Sequence, residues 1–149
     1  MSRRILISGA TGLLGTHLCR LLKNGGYILS IFTRNPDMAK TKLPYADEFI
    51  EWNYKKPEEW KHHLNSKDAI IHLAGANLSG SRWTENYKKR ITQSRQLSTR
   101  NIVNAIGEAD SKPEVFICAS GINYYGNKGD ELLTEDCGPG NDFAANVCV

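Results

Sequence analysis

The sequence predicts an α/β fold, a doubly wound parallel sheet in the order 3-2-1-4-5. Three observations lead there. A short apolar run, Ile5-Leu6-Ile7, enters a turn with glycines at spacings of three, Gly9-Ala10-Thr11-Gly12-Leu13-Leu14-Gly15, and an amphipathic stretch leaves it. Apolar runs and helical patterns then alternate along the chain. Right-handed crossovers, with the glycine turn on the first strand, dictate the strand order.

The first helix shows Leu14, Leu18, Leu21 and Leu22 on one face of a 3.6-residue period. Lys23-Asn24-Gly25-Gly26 stops it, because glycine tolerates the left-handed conformation at a helix C-terminus. Residues 27–33 form a second strand, apolar almost throughout, as suits a parallel strand covered on both faces. A Pro-bounded helical segment at 36–44 leads to a short third strand at 46–52. Pro57-Glu58-Glu59-Trp60 opens a short helix, with Pro in the first turn and acids at the positive end. Residues 68–77 are a strand running into small residues, and 78–83 are a Ser/Gly loop. Thr84 caps a long helix to about Ile106, with Tyr87, Ile91, Leu97, Ile102 and Ile106 close to one stripe. After a turn at 107–113 comes a fifth strand at 114–120, then an acidic loop, and the opening of another helix at 141–149.

The glycine turn carries the first chemistry. Glycines let the backbone turn off a strand and approach a pyrophosphate with no Cβ in the way, while the unpaired N–H groups of the helix face the phosphate oxygens. No Lys follows Gly15, which excludes the G-x-x-x-x-G-K-[ST] phosphate loop. The second informative position is the end of the second strand. A dinucleotide fold that holds a ribose 2′-hydroxyl places Asp or Glu there. This chain has Thr33-Arg34, and the nearest acid, Asp37, follows Asn35-Pro36. A guanidinium there pairs with a 2′-phosphate, so the expected cofactor is NADP(H), with NAD(H) as the alternative. Asn53, at the end of the third strand, is placed to face the adenine. Small residues at 74–76 let a cofactor lie close against the backbone.

Other residues carry less. Hydrophobic residues make up 40% and charged residues 23% of 149, with net charge +3, which describes a globular chain with no call for a nucleic-acid or membrane partner. The basic residues of the long helix (Lys88, Lys89, Arg90, Arg95, Arg100) spread around it with few aromatics, and read as a solvated face. Four cysteines show no C-x-x-C pair, so a reducing, cytoplasmic setting fits, and Cys118 reads as a small buried hydrophobe. His72 reads as a satisfied strand-end histidine; His62 and His63 read as solvated, with no metal site.

Taken together, the glycine turn, His72-Leu73-Ala74-Gly75-Ala76-Asn77, and Ser120 through Tyr124-Tyr125-Gly126 resemble the extended short-chain dehydrogenases/reductases. Arg82-Trp83-Thr84-Glu85 with Ser94-Arg95 narrow the resemblance to the atypical branch, epimerase-family or NAD-dependent epimerase/dehydratase-like proteins. The resemblance implies a Rossmann-type fold and a nicotinamide cofactor held by Gly9, Ala10, Thr11, Gly12, Leu13, Leu14 and Gly15, by Thr33, Arg34 and Asn53, and by Leu73, Ala74, Gly75, Ala76 and Ser120. It also implies a carbonyl/alcohol or nucleotide-sugar-like substrate. The usual Tyr-x-x-x-Lys pair is replaced by Phe143 and Val147, and the usual Ser/Thr falls at Gly121, beside Ser120. Catalytic residues are therefore unassigned, Tyr124 and Tyr125 being either substitutes or packing groups. An oxidoreductase or epimerase is expected; a non-catalytic NADP(H)-binding sensor is the alternative. Val149 falls inside a predicted helix, whereas family members continue into a C-terminal substrate domain. One Rossmann domain over 1–149 without that substrate domain is the expectation, with an open fifth-strand edge that favours a homo-oligomer.

Overall fold

The computed structural model describes residues 2–149. Five parallel strands, β1 (Arg4–Ser8), β2 (Ile28–Thr33), β3 (Glu48–Glu51), β4 (Ala69–His72) and β5 (Val115–Cys118), form one sheet in the order β3-β2-β1-β4-β5. The predicted order holds. The helices between them are α1 (Leu13–Asn24), α2 (Pro36–Lys42), α3 (Pro57–Trp60) with a 3₁₀ turn at Lys61–Leu64, and α4 (Glu85–Thr92) continuing through a π-helical turn at Gln93–Leu97 into α5 (Ser98–Glu108). The chain divides into two compact units, one ending at Cys118 and the other Ala119–Val149.

Strand alternation sends side chains to two cores. Leu6, Phe32, Ile50 and Ile70 meet Trp52, Trp60, Leu64, Ile102 and Ala105 on one face; Ile5, Ile7, Leu29, Ile31 and Ile71 meet Cys19 and Leu43 on the other. Each fully buried Leu or Ile contributes about 1.5–3 kcal/mol over its exposed state. Phe32 stacks on Trp52 with centroids 5.5 Å apart, and Trp60 meets Phe32 edge-on, so the C-terminal ends of β2 and β3 rest on an aromatic platform. One polar position of β2, the buried Ser30, is met by Lys67 Nζ at 2.6 Å and donates to Glu48 Oε2 at 2.6 Å.

Helix ends follow local chemistry. Asn35, Thr84 and, in the second unit, Asp142 accept from the N–H three residues on, at 3.0, 3.3 and 2.8 Å, and so start α2, α4 and α6 (Phe143–Cys148). The C-terminal stop of α1 uses Gly26 at φ +80°, a left-handed conformation that favours glycine.

Several expectations are corrected. The buried line of α1 runs through Gly15 and Cys19, flanked by half-buried Leu18 and Leu22, while Leu14 and Leu21 are each 70% exposed. Gly15 sets this rotation, because the helix meets the turn after β1, at Gly9 O and Ala10, with the residue that has no side chain. Cys118 is exposed, not buried, because β5 is an edge strand; Val115 and Ile117 beside it are also exposed. The buried thiol is Cys19, whose pKa desolvation pushes up to about 11. His63 is half-buried near Glu48 rather than solvated, and burial lowers its pKa.

Candidate cofactor site at the strand ends

Three glycines build the turn after β1, each for a separate reason. Gly9 sits at φ +72°, and a Cβ there would lie 2.6 Å from the Leu73 carbonyl carbon and 2.7 Å from Ala74 N. Gly12 is the N-cap of α1, its N–H bonded to Gly9 O at 3.0 Å. Gly15 is buried one turn on, where a Cβ would collide with Gly9 O and Ala10. Ala10 is buried and Thr11 half-buried beneath the turn. No side chain caps α1 and no acid occupies its first turn. Its leading N–H groups, at Leu13 and Leu14, are thus open to an anion, with the positive end of the helix dipole behind them. That arrangement fits a dinucleotide phosphate.

Lys42, in the last turn of α2, adds a cation: its Nζ donates to Thr11 O at 2.7 Å. Sequence reasoning missed it. Nothing local marks Lys42, since the contact spans 31 residues.

At the end of β2, Thr33 is buried and its Oγ1 accepts from Asn35 N at 3.2 Å. Thr33 O accepts from Trp52 N at 2.7 Å, tying β2 to the exit of β3. Arg34 lies between these anchors with its side chain exposed. The nearby acid, Asp37, faces Lys40 at 3.9 Å and not Arg34. Asn53 is exposed past β3, its Oδ1 accepting from Lys55 N at 3.1 Å and its carbonyl from Trp60 Nε1 at 2.8 Å.

The exit of β4 completes the first unit's site. Leu73 N donates to Ser8 O at 3.1 Å, so Leu73 and Ala74 run against Gly9. Ala76 is held at both ends of its backbone: its N–H donates to Ser94 Oγ at 2.9 Å, and its carbonyl accepts from Arg95 Nη1 at 3.0 Å. Both side chains come from the π-helical turn, where a wider i→i+5 pattern inserts an extra residue and swings the following face toward the sheet. Helical periodicity alone gives an unbroken 84–106 helix, so this feature was not legible. Arg95 is half-buried, which corrects its reading as part of a solvated face.

His72 is 2% exposed and satisfied at both nitrogens, as its sequence context predicts: Nδ1 lies 2.5 Å from Ser8 Oγ and Nε2 2.9 Å from Ser98 Oγ. Ser98 Oγ also lies 2.7 Å from Ser94 O and 3.1 Å from Arg95 O, and its only proton goes to these backbone carbonyls; it therefore accepts from Nε2–H, and Ser8 O–H donates to Nδ1. Desolvation lowers the His72 pKa to about 4, so the ring is neutral. The relay pins β1, β4 and α5 together directly below the glycine turn.

In the second unit, Ser120 and Gly121 are exposed, and Tyr124 and Tyr125 lie half-buried on a 3₁₀ turn, Ile122–Tyr125, at right angles to each other. Tyr124 O accepts from Gly140 N at 2.8 Å. Phe143 opens α6. Among the described residues, no group of three His, Cys, Asp or Glu is placed to hold a metal ion, and no helix is long and apolar enough to cross a membrane.

Known proteins are similar to this chain in sequence and fold. The chain is 30% identical over 146 residues, 97% of its length, to the chloroplastic epimerase family protein SDR39U1 homolog of Arabidopsis thaliana, and covers 42% of that relative. It is 32% identical to epimerase family protein ML0860 of Mycobacterium leprae, covering 97% of this chain and 44% of the relative. It thus spans less than half the length of these relatives. Among solved structures, human epimerase family protein SDR39U1 with NADPH superposes with a TM-score of 0.79 at 28% identity, over 97% of this chain and 45% of that one. A nucleoside-diphosphate sugar epimerase from Corynebacterium glutamicum gives 0.75 at 27% identity, over 99% and 29%. The family model for the NAD dependent epimerase/dehydratase family matches residues 5–147, and the chain belongs to that family.

Proposed function

We propose that residues 1–149 act as the NADP(H)-binding domain of an oxidoreductase or epimerase whose substrate is a small carbonyl/alcohol or nucleotide-sugar-like molecule. The observation that carries this is the uncapped N-terminus of α1 behind Gly9 and Gly12, with the exposed Arg34 at the end of β2. NADPH in the human relative and the nucleotide-sugar epimerase among the neighbours support the two halves of the reading. The leading N–H groups of α1 receive the pyrophosphate, Arg34 pairs with the 2′-phosphate, and Lys42 adds positive charge to the turn. The small residues Ala74 and Ala76 leave room for the nicotinamide half. The bound nicotinamide supplies or accepts hydride. Phe143 has no proton to exchange, so proton transfer falls to a group other than the one at that position.

The test is a fluorescence titration with NADPH and NADH. Arg34→Ala removes a charge-assisted pair and is expected to weaken NADPH binding by roughly 10–100-fold while leaving NADH unchanged. Equal NADPH affinity in parent and variant overturns the assignment of Arg34. The exposed apolar side chains of β5, Val115 and Ile117, support self-association, and a concentration-independent monomer in sedimentation would remove that part of the proposal.

A further inference from the structure

Trp83 stands apart from the other two tryptophans. Trp52 and Trp60 are 5% and 0% exposed in the core, whereas Trp83 is 42% exposed on the loop that joins β4 to α4. That loop leaves the sheet at the C-terminal end of β4, where open parallel sheets bind ligands and where a rigid scaffold carries functional loops. Trp83 is fixed there. Its Nε1–H donates to Leu78 O at 2.8 Å, which sets the indole beside a residue two positions beyond Ala76. Thr84 N donates to Arg82 O at 2.8 Å, so the backbone on either side of Trp83 is tied as the chain enters α4. At the start of the loop, Asn77 Oδ1 accepts from Ser79 N at 2.9 Å, and Gly80 passes so close to Tyr87 Oη that a Cβ would lie 2.5 Å from it. A ring held in one orientation has already given up the rotamer freedom that binding otherwise costs. With its only N–H committed to Leu78 O, the indole has no further hydrogen bond to donate. What it offers a ligand is the electron-rich face of a flat ring, which favours planar rings over saturated ones and electron-poor rings above all.

We propose that Trp83 is a specificity-determining residue of the substrate site, on whose indole face a planar ring conjugated to the substrate's carbonyl group stacks. The proposal rests on the reading of the β4 exit as the nicotinamide end of the site, and it narrows the substrate to the aryl carbonyl class. A carbonyl group withdraws electrons from the ring it is conjugated to, which makes that ring the electron-poor partner of the indole. Aliphatic and saturated cyclic carbonyl compounds are the poorer ligands.

The experiment is ¹H–¹⁵N NMR of the tryptophan indole N–H signals in the whole chain, titrated with acetophenone and with its saturated counterpart cyclohexyl methyl ketone, without NADPH and with NADPH at saturation. The expected result is a saturable shift of the Trp83 signal with acetophenone in both conditions, while the buried Trp52 and Trp60 signals stay in place. Cyclohexyl methyl ketone should bind roughly 3–10-fold more weakly, the difference that aromatic stacking makes beyond apolar burial. Trp83→Leu keeps an apolar side chain without the flat ring, and the preference for acetophenone over the saturated ketone should fall to about one in that variant, read from the ligands' own signals. Unmoved Trp52 and Trp60 signals would show that Trp83→Leu is folded, and Trp83→Phe should keep part of the preference. A Trp83 signal that does not respond to acetophenone overturns the proposal, as does equal affinity for the two ketones in the parent or an undiminished preference in Trp83→Leu. Loss of the acetophenone response on adding NADPH also overturns it, by assigning the indole face to the cofactor. If NADPH fails to bind, the dinucleotide reading fails while the titrations without it still decide Trp83.

Discussion

Two segments meet at the C-terminal end of the sheet, and they are held in opposite ways. The turn after β1 is shaped by absent side chains: Gly9 and Gly15 allow backbone to touch backbone, and no side chain caps the helix that follows. The exit of β4 is shaped by side chains that reach it from elsewhere, Ser94 and Arg95 on Ala76, and Tyr87 Oη on Asn77 O at 2.5 Å. A backbone-only site is stiff and fails sharply when an atom is added. A side-chain-held loop yields by degrees as bonds are removed, and its geometry is adjustable by the helix that holds it.

The largest effect should come from adding atoms to the turn. Gly9→Ala forces a Cβ against Leu73 and Ala74 in a left-handed conformation, and should cost on the order of 3 kcal/mol in urea denaturation, with NADPH binding lost. A variant as stable as the parent would mean that β4 yields more easily than its packing implies.

Next is the relay beneath both segments. The folded-state pKa of His72, about 4, is depressed from 6.5. The unfolded chain therefore binds a proton first as pH falls, and the neutral ring's stabilisation is complete above about pH 6.5 and lost progressively toward pH 4. Between pH 8 and pH 5 the expected loss is about 2 kcal/mol, absent in His72→Gln measured against its own pH 8 value. Parallel pH profiles for the two proteins would show that His72 does not supply this dependence.

The smallest effect belongs to the side-chain-held loop. Ser94→Ala removes the bond to Ala76 N and should cost about 1 kcal/mol, with faster amide exchange confined to 74–77. An effect as large as that of Gly9→Ala would erase the distinction between the two segments.

Much of this architecture was legible in the residues because the interactions that fix it are local. Gly9, Gly12 and Gly15 mark their turn by spacing; Thr84 marks its helix by bonding to an N–H three residues on; His72 reads as a satisfied histidine in a strand of apolar neighbours. What escaped was set by partners distant in sequence. Cys118 stands in an apolar run that looks buried, but exposure depends on β5 being at the sheet edge. Leu14 and Leu21 share a helical face, but which face packs was decided by the close approach of Gly15 to Gly9 O.

The sequence by itself determined the sheet order, the glycine turn and the residue types available to bind a dinucleotide, because periodicity, caps and glycine conformations act within a few residues of chain. Only the tertiary structure decided that Lys42 reaches Thr11, that a π-helical turn interrupts the long helix, and that Arg95 leaves the solvated face to lie over Gly75. Those contacts join residues 19 to 31 positions apart. They depend on how helices dock against strand ends, and no local pattern encodes that docking.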